Sequence, residues 1–411
     1  MPTINTKSIG SGGGRDYSTP TAWETGRQGN LPSLDYVEVG ECYNDSAFLN
    51  LSFAFYGWTT DATRYIHLKS ADGEEHSGII NTGVQFTRNA DLSFNSQIQV
   101  REDYVRIEGI EFHPYGYAST KYSLYIYDQT ATTNQIRVFN CIFFGNDSST
   151  ACNHGVMTNS SNTNLVFYNN IMYRWPNTSW IEALYPSACA SAYIYNNTFY
   201  KCWRGVQSGG SQCLVINNVS MGCYNADFSG TVAGSSDYNC SSDTSAPDNG
   251  NSLVSKTASN QFTNVSAGSE DFHVKDNAAD IYNAGQDLTS DPNFAFNTDI
   301  DYQTRPTGAG TWDIGADEIA SDTEDMSPIV AQRYYSVHKN GLTIIKAECQ
   351  LRDIMSDFGD RVSIDIGRPK EAFTKAVITQ VSRHFLDKYR VTITAVAGGY
   401  QDNEDEAWEV S

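Results

Sequence analysis

The sequence has few basic residues and no long apolar run. Its 411 residues include 27 Lys or Arg against 48 Asp or Glu, which gives a formal net charge of −21. Because nucleic-acid binding needs Lys and Arg clustered on one face, we do not expect a nucleic-acid partner. An 18-residue apolar stretch and the apolar core of a signal peptide are also missing, so we expect neither a membrane span nor classical export.

Cysteine pairs with metal-binding spacing are missing as well. The nine Cys residues are odd in number, and no two of them form a C-x-x-C pair. Most lie within repeated apolar stretches, which favours buried thiols over a ladder of disulfides. His154 follows Cys152 closely, but sequence proximity does not establish a nucleophile and base, so we expect a loop histidine. The sequence therefore predicts no metal and no cofactor.

A short pattern returns five times between Val105 and Cys223. Each copy is an alternating strand that ends at Gly or Asn, residue types that tolerate a left-handed backbone, and a second short apolar stretch follows. Successive copies are 21 to 31 residues apart. The copies are Ile107-Glu-Gly109, Val138-Phe-Asn140, Phe167-Tyr-Asn169, Ile194-Tyr-Asn196 and Val215-Ile-Asn217.

Strand repeats of this length, without a helical period or a hairpin turn, predict an all-β parallel β-helix with one coil per repeat. Asn side chains at equivalent turns would then stack and hydrogen-bond to one another. A β-sandwich with Asn-rich turns is the alternative fold, although sandwiches show hairpin signals at intervals of about 8–12 residues. The predicted ladder consists of Asn140, Asn169, Asn196 and Asn217.

Composition divides the chain into four parts: a cap (1–35), a parallel β-helix (36–320), an acidic linker (321–326) and a small β-barrel or sandwich (327–411). In the cap, Thr19 and Pro20 predict a helix start, and such a helix would cover the open end of the solenoid. In the last part, two alternating Val, Ile and Thr stretches, 376–381 and 389–396, predict an antiparallel hairpin. The Ser- and Asp-rich residues 225–268 predict long loops outside the coils.

Several motifs resemble the right-handed parallel β-helix, pectin-lyase-like superfamily over residues 1–320. They are the opening Gly14-Arg-Asp-Tyr-Ser-Thr with Ala22-Trp-Glu, the Asn-bearing coils, and the ending Arg305…Asp313-Ile-Gly-Ala-Asp-Glu318. Members include polysaccharide lyases, glycoside hydrolases, bacterial surface proteins and phage tailspikes, so the resemblance implies a fold more than a function. We expect Arg305 and Asp313 to pair and lock the last coil, and Gly315 to permit a tight turn.

The acidic residues of the repeats do not form an evident catalytic pair. A glycosidase needs two carboxylates about 5–9.5 Å apart across one groove. Glu108 and Glu111 are predicted on different strands, whereas Asp128, Asp147 and Glu182 belong to different coils. Arg204 would suit a lyase, but the acidic cluster that would hold calcium beside it is missing. We therefore assign no catalytic residue, and a polysaccharide lyase or glycosidase is the alternative interpretation.

Aromatic residues of two neighbouring repeats give a stronger signal. Tyr and Trp rings lie against the apolar faces of sugars while their polar tips hydrogen-bond, so the group predicts carbohydrate binding. Burial in the coil interior or at the base of a loop is the alternative. The candidate residues are Tyr173, Trp175, Trp180, Tyr185, Tyr200 and Trp203.

The C-terminal part is similar to the small β modules of phage tail-tip and baseplate proteins. That resemblance implies a docking module, and we expect a virion protein made in the host cytoplasm: a phage tail-associated β-helix that attaches to host surface polysaccharide. Its partners would be other tail proteins in a homo-oligomeric or larger assembly. Tailspikes of this fold are usually trimers anchored by their N-termini, whereas this chain would be anchored by its C-terminus. A bacterial surface adhesin is a further alternative.

Overall fold

The computed structural model describes residues 2–88, 95–114, 122–145, 154–175, 181–307 and 311–319, and the backbone of four later strands. The chain divides into two compact units, Met1–Ser321 and Asp322–Ser411. The described helices, all in the first unit, are α1 (Pro20–Arg27), α2 (Leu31–Leu34) and α3 (Ala258–Gln261). Over the described ranges, no helix is both long and apolar enough to cross a membrane.

Three parallel sheets build the first unit. Sheet I consists of β1 (Thr3–Ile9), β2 (Tyr36–Cys42), β4 (Ile66–Ser70), β7 (Val105–Glu108), β10 (Ile136–Phe139), β13 (Asn164–Tyr168), β16 (Ser191–Tyr195) and β19 (Cys213–Ile216). Sheet II consists of β5 (Val84–Arg88), β8 (Ile110–Pro114), β11 (Ile142–Phe144), β14 (Ile171–Tyr173), β17 (Thr198–Tyr200), β20 (Val219–Met221) and β22 (Cys240–Ser241). Sheet III consists of β3 (Phe53–Phe55), β6 (Ser96–Val100), β9 (Tyr122–Ile126), β12 (His154–Asn159), β15 (Glu182–Ala188), β18 (Arg204–Gln207) and β21 (Ala226–Ser229).

From β4 to β21 the chain visits the three sheets in turn, so each of these coils adds one strand to each sheet, and the predicted parallel β-helix is confirmed. The repeat seen in the sequence is the register of sheet I. Its first positions pair in one column, and all are fully buried: Ile107, Val138, Phe167, Ile194 and Val215. Each such side chain contributes about 1.5–3 kcal/mol when removed from water.

The N-terminal helix starts where the sequence predicted. The Thr19 side chain accepts a hydrogen bond from the Ala22 N–H, and Pro20 occupies the first helical turn. The helix buries Trp23, whose ring lies 6.2 Å from those of both Phe55 and Trp58. Strand β1 precedes this helix and pairs with β2, so the cap region also supplies the first strand of sheet I.

The predicted Asn residues do adopt the left-handed turn conformation, with φ between 49° and 59° at Asn140, Asn169, Asn196 and Asn217. Their amides form two separate contacts rather than one continuous ladder. Asn169 donates to Asn140 at 3.3 Å, and Asn217 donates to Asn196 at 3.1 Å. The four amide nitrogens also donate hydrogen bonds to backbone carbonyls of a later segment that covers the turns from outside. These carbonyls belong to Gln286, Thr298, Asp299, Asp313 and Gly315.

The continuous ladder lies one residue later in each coil. Asn170 donates to Asn197, Asn197 to Asn218, and Asn218 to Asn239, at 2.9–3.2 Å between the amide nitrogen and oxygen. All four side chains are fully buried. Cys141 occupies the same position one coil earlier, and its N–H donates to the Asn170 amide oxygen. The ladder was misplaced by one residue because the left-handed residue directs its own side chain outward and the next one inward.

Coils continue through part of the segment predicted to form loops. Strands β21 and β22 extend sheets III and II, and a bridge between Ile216 and Asp237 extends sheet I. After Ser241 the chain makes one further bridge to sheet II, at Leu253. The stacking therefore ends well before the predicted residue 320.

Residues 258–307 and 311–319, named here the return segment, run back over the outside of the coils. Phe272, Val274 and Ile314 pack on the outer apolar side chains of sheet II. Phe296 and Trp312 pack on those of sheet I. The outer faces of β13, β14, β16 and β17 are apolar, so without this cover they would expose a large hydrophobic patch.

Arg305 is fully buried at the centre of the return segment. Its guanidinium donates to Glu318 Oε2 at 2.7 Å, to the carbonyls of Gly315 and Ala316, and to the amide oxygen of Asn169. The expected ionic partner, Asp313, instead accepts the N–H groups of Asn283 and Ile319 with its carboxylate.

Gly315 has φ of +117°, a conformation that suits glycine, and its N–H donates to the Asn217 carbonyl. This hydrogen bond ties the return segment directly to a coil. The expected tight turn is present.

We expect the return segment to be held more firmly at pH 5.5 than at pH 8.5. Burial raises the pKa of Asp299 to about 7, and burial also raises the pKa of Glu318. Burial opposes protonation of His273, but hydrogen bonds to Asp271 and Asp301 raise its pKa to about 11. A raised folded-state pKa gives stability that is present below the unfolded pKa and is lost as pH rises through the folded one. Between pH 5 and 9 all three groups therefore act in the same direction, and Asp299 alone accounts for on the order of 2 kcal/mol between pH 5.5 and 7.

Hydrogen exchange of peptides from residues 258–319, corrected for the intrinsic pH dependence of exchange, measures this effect. Peptides from β13 serve as the internal reference. Equal or greater protection at pH 8.5 would contradict the prediction.

The second unit contains one four-stranded antiparallel sheet among its described residues, in the order β25 (Arg333–Lys339), β26 (Leu342–Gln350), β28 (Arg390–Ala397) and β27 (Ala376–His384). The predicted antiparallel domain is confirmed, and β27 and β28 pair as the predicted hairpin. The predicted linker 321–326 and the alternating stretch 362–366 lie outside the described residues.

Candidate functional site

A row of aromatic side chains crosses the outer face of sheet III. Leu124 and Ile126 of β9 are fully buried in the coil interior, which directs Tyr125 and Tyr127 outward. Neighbouring coils continue the row on both sides. We name it the tyrosine face, and it consists of Tyr56, Arg101, Tyr127, Tyr125, Tyr122, His154 and Tyr185.

The centre of the tyrosine face is a stack of three rings from one strand. The ring centroids of Tyr122 and Tyr125 are 4.5 Å apart with 13° between their planes. Tyr125 and Tyr127 are also 4.5 Å apart, with 24° between planes. Offset stacking of this kind contributes about 0.5–1.5 kcal/mol per pair beyond burial. The rings are therefore ordered before any ligand arrives.

Both ends of the row extend onto other coils. The Arg101 guanidinium lies 4.5 Å from the Tyr56 ring and 5.3 Å from the Tyr127 ring, and so bridges the two. On the other side, His154 lies 5.6 Å from both Tyr122 and Tyr185. The row crosses five strands of sheet III, from β3 to β15. At about 4.8 Å per strand, its length is roughly 19 Å.

The three central tyrosines are half-buried, whereas Tyr56 is 56% exposed. Burial raises the pKa of Tyr122 and of Tyr127 above the ordinary tyrosine value, so both hydroxyls stay protonated at neutral pH. The Tyr127 hydroxyl donates to Gln99, and the Tyr125 hydroxyl accepts from Asn159. The face therefore combines apolar ring edges with oriented hydroxyl groups.

A charged line lies beside the tyrosine face, where three strands of sheet III begin. Glu182 is 2% exposed, and its Oε1 accepts from Arg204 at 3.1 Å. Its Oε2 lies 2.7 Å from His154 Nδ1, although off the line of a hydrogen bond. Arg204 also donates to Asn225 at 2.8 Å. His154, expected in a loop, thus begins strand β12 and connects the charged line to the aromatic row.

The charged line holds one carboxylate between two basic side chains, which is not the arrangement of a glycosidase pair. Glu108 lies on sheet I beside His67, and Glu111 is buried on sheet II, where it accepts backbone N–H groups of residues 81–83. Asp128 is an exposed partner of Arg101. Asp147 lies outside the described residues. The arrangement therefore suits binding of polar, hydroxyl-rich groups better than hydrolysis.

Of the six aromatic residues predicted to bind carbohydrate, Tyr185 belongs to the tyrosine face. Trp175 is fully buried in the coil interior, and Trp203 is half-buried against the same core. Tyr173 and Tyr200 are 2% and 5% exposed because Phe272 of the return segment covers them, at 5.0 and 5.3 Å. A covered ring cannot stack on a sugar, so the prediction of carbohydrate binding is wrong for Trp175, Tyr173 and Tyr200. Trp180 lies outside the described residues.

The sequence contains a pattern that indicates the tyrosine face, but it lies outside the Asn-bearing repeats on which the fold prediction was based. Tyr125 and Tyr127 alternate with buried Leu124 and Ile126, which indicates outward rings on a strand, whereas Tyr122 departs from this alternation. The coils differ in length between sheets II and III, so the sequence did not reveal which tyrosines of neighbouring coils align. Register on sheet III, with Tyr122 opposite His154 and Met157 opposite Tyr185, determined that.

A second charged cluster lies at the return segment. His273 contacts Asp271 through Nδ1 and donates or accepts with Asp301 through Nε2 at 2.8 Å. Asp317 accepts the Val274 N–H. One ligand atom each from His273, Asp301 and Asp317 lies within 4.8 Å of the others, and both ring nitrogens of His273 already contact carboxylates. We interpret this cluster as a structural tie between two stretches of the return segment, 271–274 and 301–317.

Seven cysteines lie in the described ranges, and all are free thiols, as predicted. Six are buried and Cys223 is half-buried. Comparison with known proteins found no family model, no curated protein and no solved structure that matches this chain. The functional assignment therefore rests on the geometry of the tyrosine face.

Proposed function

We propose that this protein is a carbohydrate-binding parallel β-helix of a phage tail, which attaches to host surface polysaccharide along the tyrosine face and docks to the tail through its second unit. The observation that carries the carbohydrate part is the tyrosine face itself: a row of ordered rings with oriented hydroxyls on a rigid sheet. The phage setting rests on the resemblance of residues 1–320 to the pectin-lyase-like superfamily and of the C-terminal part to tail modules.

Rigidity favours this use of the fold. Parallel strands hold the ring-bearing residues in register across several coils, so binding orders few additional side chains. Tyrosine adds contact area with little loss of side-chain entropy and supplies a hydroxyl for sugar hydroxyl groups. An elongated row suits several units of a polysaccharide better than a single small ligand.

We expect the double substitution of Tyr122 and Tyr125 by Ala to weaken polysaccharide binding at least tenfold. The probe is an array of purified bacterial capsular and O-chain polysaccharides, followed by calorimetry on the polysaccharide retained by the full-length protein. Tyr193→Ala is the matched control, because Tyr193 is a half-buried tyrosine on the outer face of sheet I. Thermal melts of each variant verify the fold.

Two results would contradict the proposal. One is an array on which the full-length protein retains no polysaccharide. The other is retention that the Tyr122 and Tyr125 substitutions leave unchanged. Docking to the tail is measured independently, by co-sedimentation of the full-length protein with purified tails. An adhesin would retain polysaccharide on the array but would not co-sediment with tails.

A polysaccharide lyase is the second candidate, and the charged line of His154, Glu182 and Arg204 favours it. A lyase needs a base near the sugar C5 proton, and His154 contacts the tyrosine face directly, whereas Arg204 is paired with Glu182. Incubation of each retained polysaccharide with the protein, followed by ultraviolet detection of unsaturated uronates and a reducing-end assay, distinguishes the two. Cleavage that His154→Ala abolishes would replace attachment by catalysis.

A further inference from the structure

Two adjacent arginines on the outer face of sheet I have no acidic partner among the residues that the structure describes. Arg106 on β7 and Arg137 on β10 are paired in register, so their side chains project from neighbouring strands on the same face. In the described part of the chain, no carboxylate lies within 4.0 Å of either guanidinium. The protein has a net charge of −21, so acidic side chains are plentiful, yet Glu108, two residues along β7 from Arg106, pairs with His67 instead.

The two guanidiniums line a cavity of about 160 Å³. The Arg106 guanidinium lies flat on the Tyr65 ring at 3.4 Å, which leaves its edge N–H groups towards the cavity. Arg137 donates from Nε to Gln135 Oε1 at 2.5 Å, which fixes its orientation. The other lining residues are Ala62, Tyr104 and Thr133.

The cavity wall is ordered by its own contacts. Tyr104 adopts a left-handed backbone with φ of 55°, and its hydroxyl donates to the Thr133 carbonyl at 2.9 Å. A non-glycine residue in that conformation is held there by its surroundings. The Arg137 guanidinium also lies 4.9 Å from the Phe294 ring of the return segment, so the floor of the cavity is fixed as well.

Like charges on neighbouring strands destabilise a sheet. Partial burial, followed by repulsion from Arg137, lowers the pKa of Arg106 to about 10, in agreement with a site that lacks a counter-ion. An anion between the two guanidiniums would relieve this repulsion. Arginine suits the task because its planar fork donates two parallel hydrogen bonds to a carboxylate, sulfate or phosphate.

We propose that the cavity between Arg106 and Arg137, named the guanidinium pocket, is a binding site for a single oxyanion group. Its volume admits one carboxylate, sulfate or phosphate group with a few waters, each of which occupies about 30 Å³ in the liquid. The pocket and the tyrosine face adjoin the same turn, since Arg101 belongs to the face and Tyr104 to the pocket. The proposal stands independently of the carbohydrate-binding function, although a sugar-borne oxyanion would connect the two.

Calorimetry on the full-length protein at low salt tests the site with four probes: inorganic sulfate, inorganic phosphate, glucose 6-phosphate and glucuronate, with glucose as the uncharged reference. We expect at least one charged probe to bind, glucose to bind at least tenfold more weakly, and Arg106→Gln or Arg137→Gln to weaken the charged probe at least tenfold. Arg106→Lys keeps the charge but removes the fork, and should restore only part of the affinity.

Arg64→Gln is the matched control, because Arg64 is paired with Asp35 and Asp61 at a nearby turn. Tighter binding of the sugar-borne probes than of the inorganic ions would identify the ligand as an acidic saccharide, and the reverse would identify a free ion. No binding of any probe at millimolar concentration, or binding that neither substitution weakens, would overturn the proposal. The array experiment on the tyrosine variants tests the tyrosine face and the calorimetry tests the guanidinium pocket. Either proposal can therefore be contradicted without the other.

Discussion

Asn197→Ala is expected to destabilise the central coils by about 4 kcal/mol, because the change leaves several buried polar groups without partners. The Asn197 amide donates to the carbonyls of Phe167 and Tyr195 and to the Asn218 amide oxygen, and its own oxygen accepts from Asn170. The side chain is fully buried, so water cannot replace these bonds. Each unsatisfied buried group costs about 1–3 kcal/mol.

The effect should be local as well as large. A solenoid is stabilised by contacts between neighbouring repeats, so the loss of one rung weakens the coils on both sides. Hydrogen exchange should therefore show lost protection in β13, β16 and β19 and little change in β2 and β4. Urea unfolding, followed by intrinsic fluorescence, gives the change in free energy.

Asn249→Ala is the matched control, since Asn249 is exposed and its side chain takes no part in the ladder. We expect a change within about 0.5 kcal/mol there. A loss below about 1 kcal/mol for Asn197→Ala would show that the ladder is not a major source of stability. Asn196→Ala probes the neighbouring residue of the same turn, whose amide binds the return segment instead.

Arg305→Ala is expected to release the return segment from the coils, with a cost of about 3–5 kcal/mol. The substitution removes the cation opposite Glu318 and leaves the carbonyls of Gly315 and Ala316 without their donor. Arg305 and Glu318 are 0% and 3% exposed. Burial already raises the pKa of Glu318, so loss of the cation drives that carboxyl towards the protonated form.

The measurement is protection of residues 281–319 in hydrogen exchange, together with the fluorescence of Trp312, a residue of the return segment that is fully buried against sheet I. The double variant Arg305→Met with Glu318→Gln should be less destabilised than Arg305→Ala, because it leaves no unpaired charge. Arg64→Ala, a partly exposed ion pair, should cost less than about 1 kcal/mol. A return segment that keeps its protection in Arg305→Ala would contradict a structural role for this arginine.

Release of the return segment would also uncover the outer apolar faces of sheets I and II. Tyr173 and Tyr200 would then become accessible, whereas Trp175 would stay inside the coils. Aggregation of the Arg305→Ala variant at high concentration is the expected consequence of such exposure. Such aggregation would show that the return segment protects the apolar outer faces of sheets I and II from solvent.

The sequence by itself determined the parallel β-helix. The repeat pattern between Val105 and Cys223 is easy to recognise in the sequence because each coil must bury one face in the same interior and must turn at an equivalent position. Apolar residues such as Ile107, Val138 and Phe167 therefore recur in register. Local rules also sufficed for the capped helix at Thr19 and Pro20 and for the hairpin of β27 and β28. Free, buried cysteines followed from their apolar surroundings.

Tertiary structure decided which side chains face solvent and which are covered. Tyr173 and Tyr200 have the pattern of outward residues on sheet II, but Phe272, some 70 or more residues later, covers both. The tyrosine face likewise depends on how coils of unequal length align on sheet III. The periodicity of a single strand describes one coil at a time. A surface built from several coils depends instead on contacts between residues far apart in the chain, and so does the return segment that covers part of that surface.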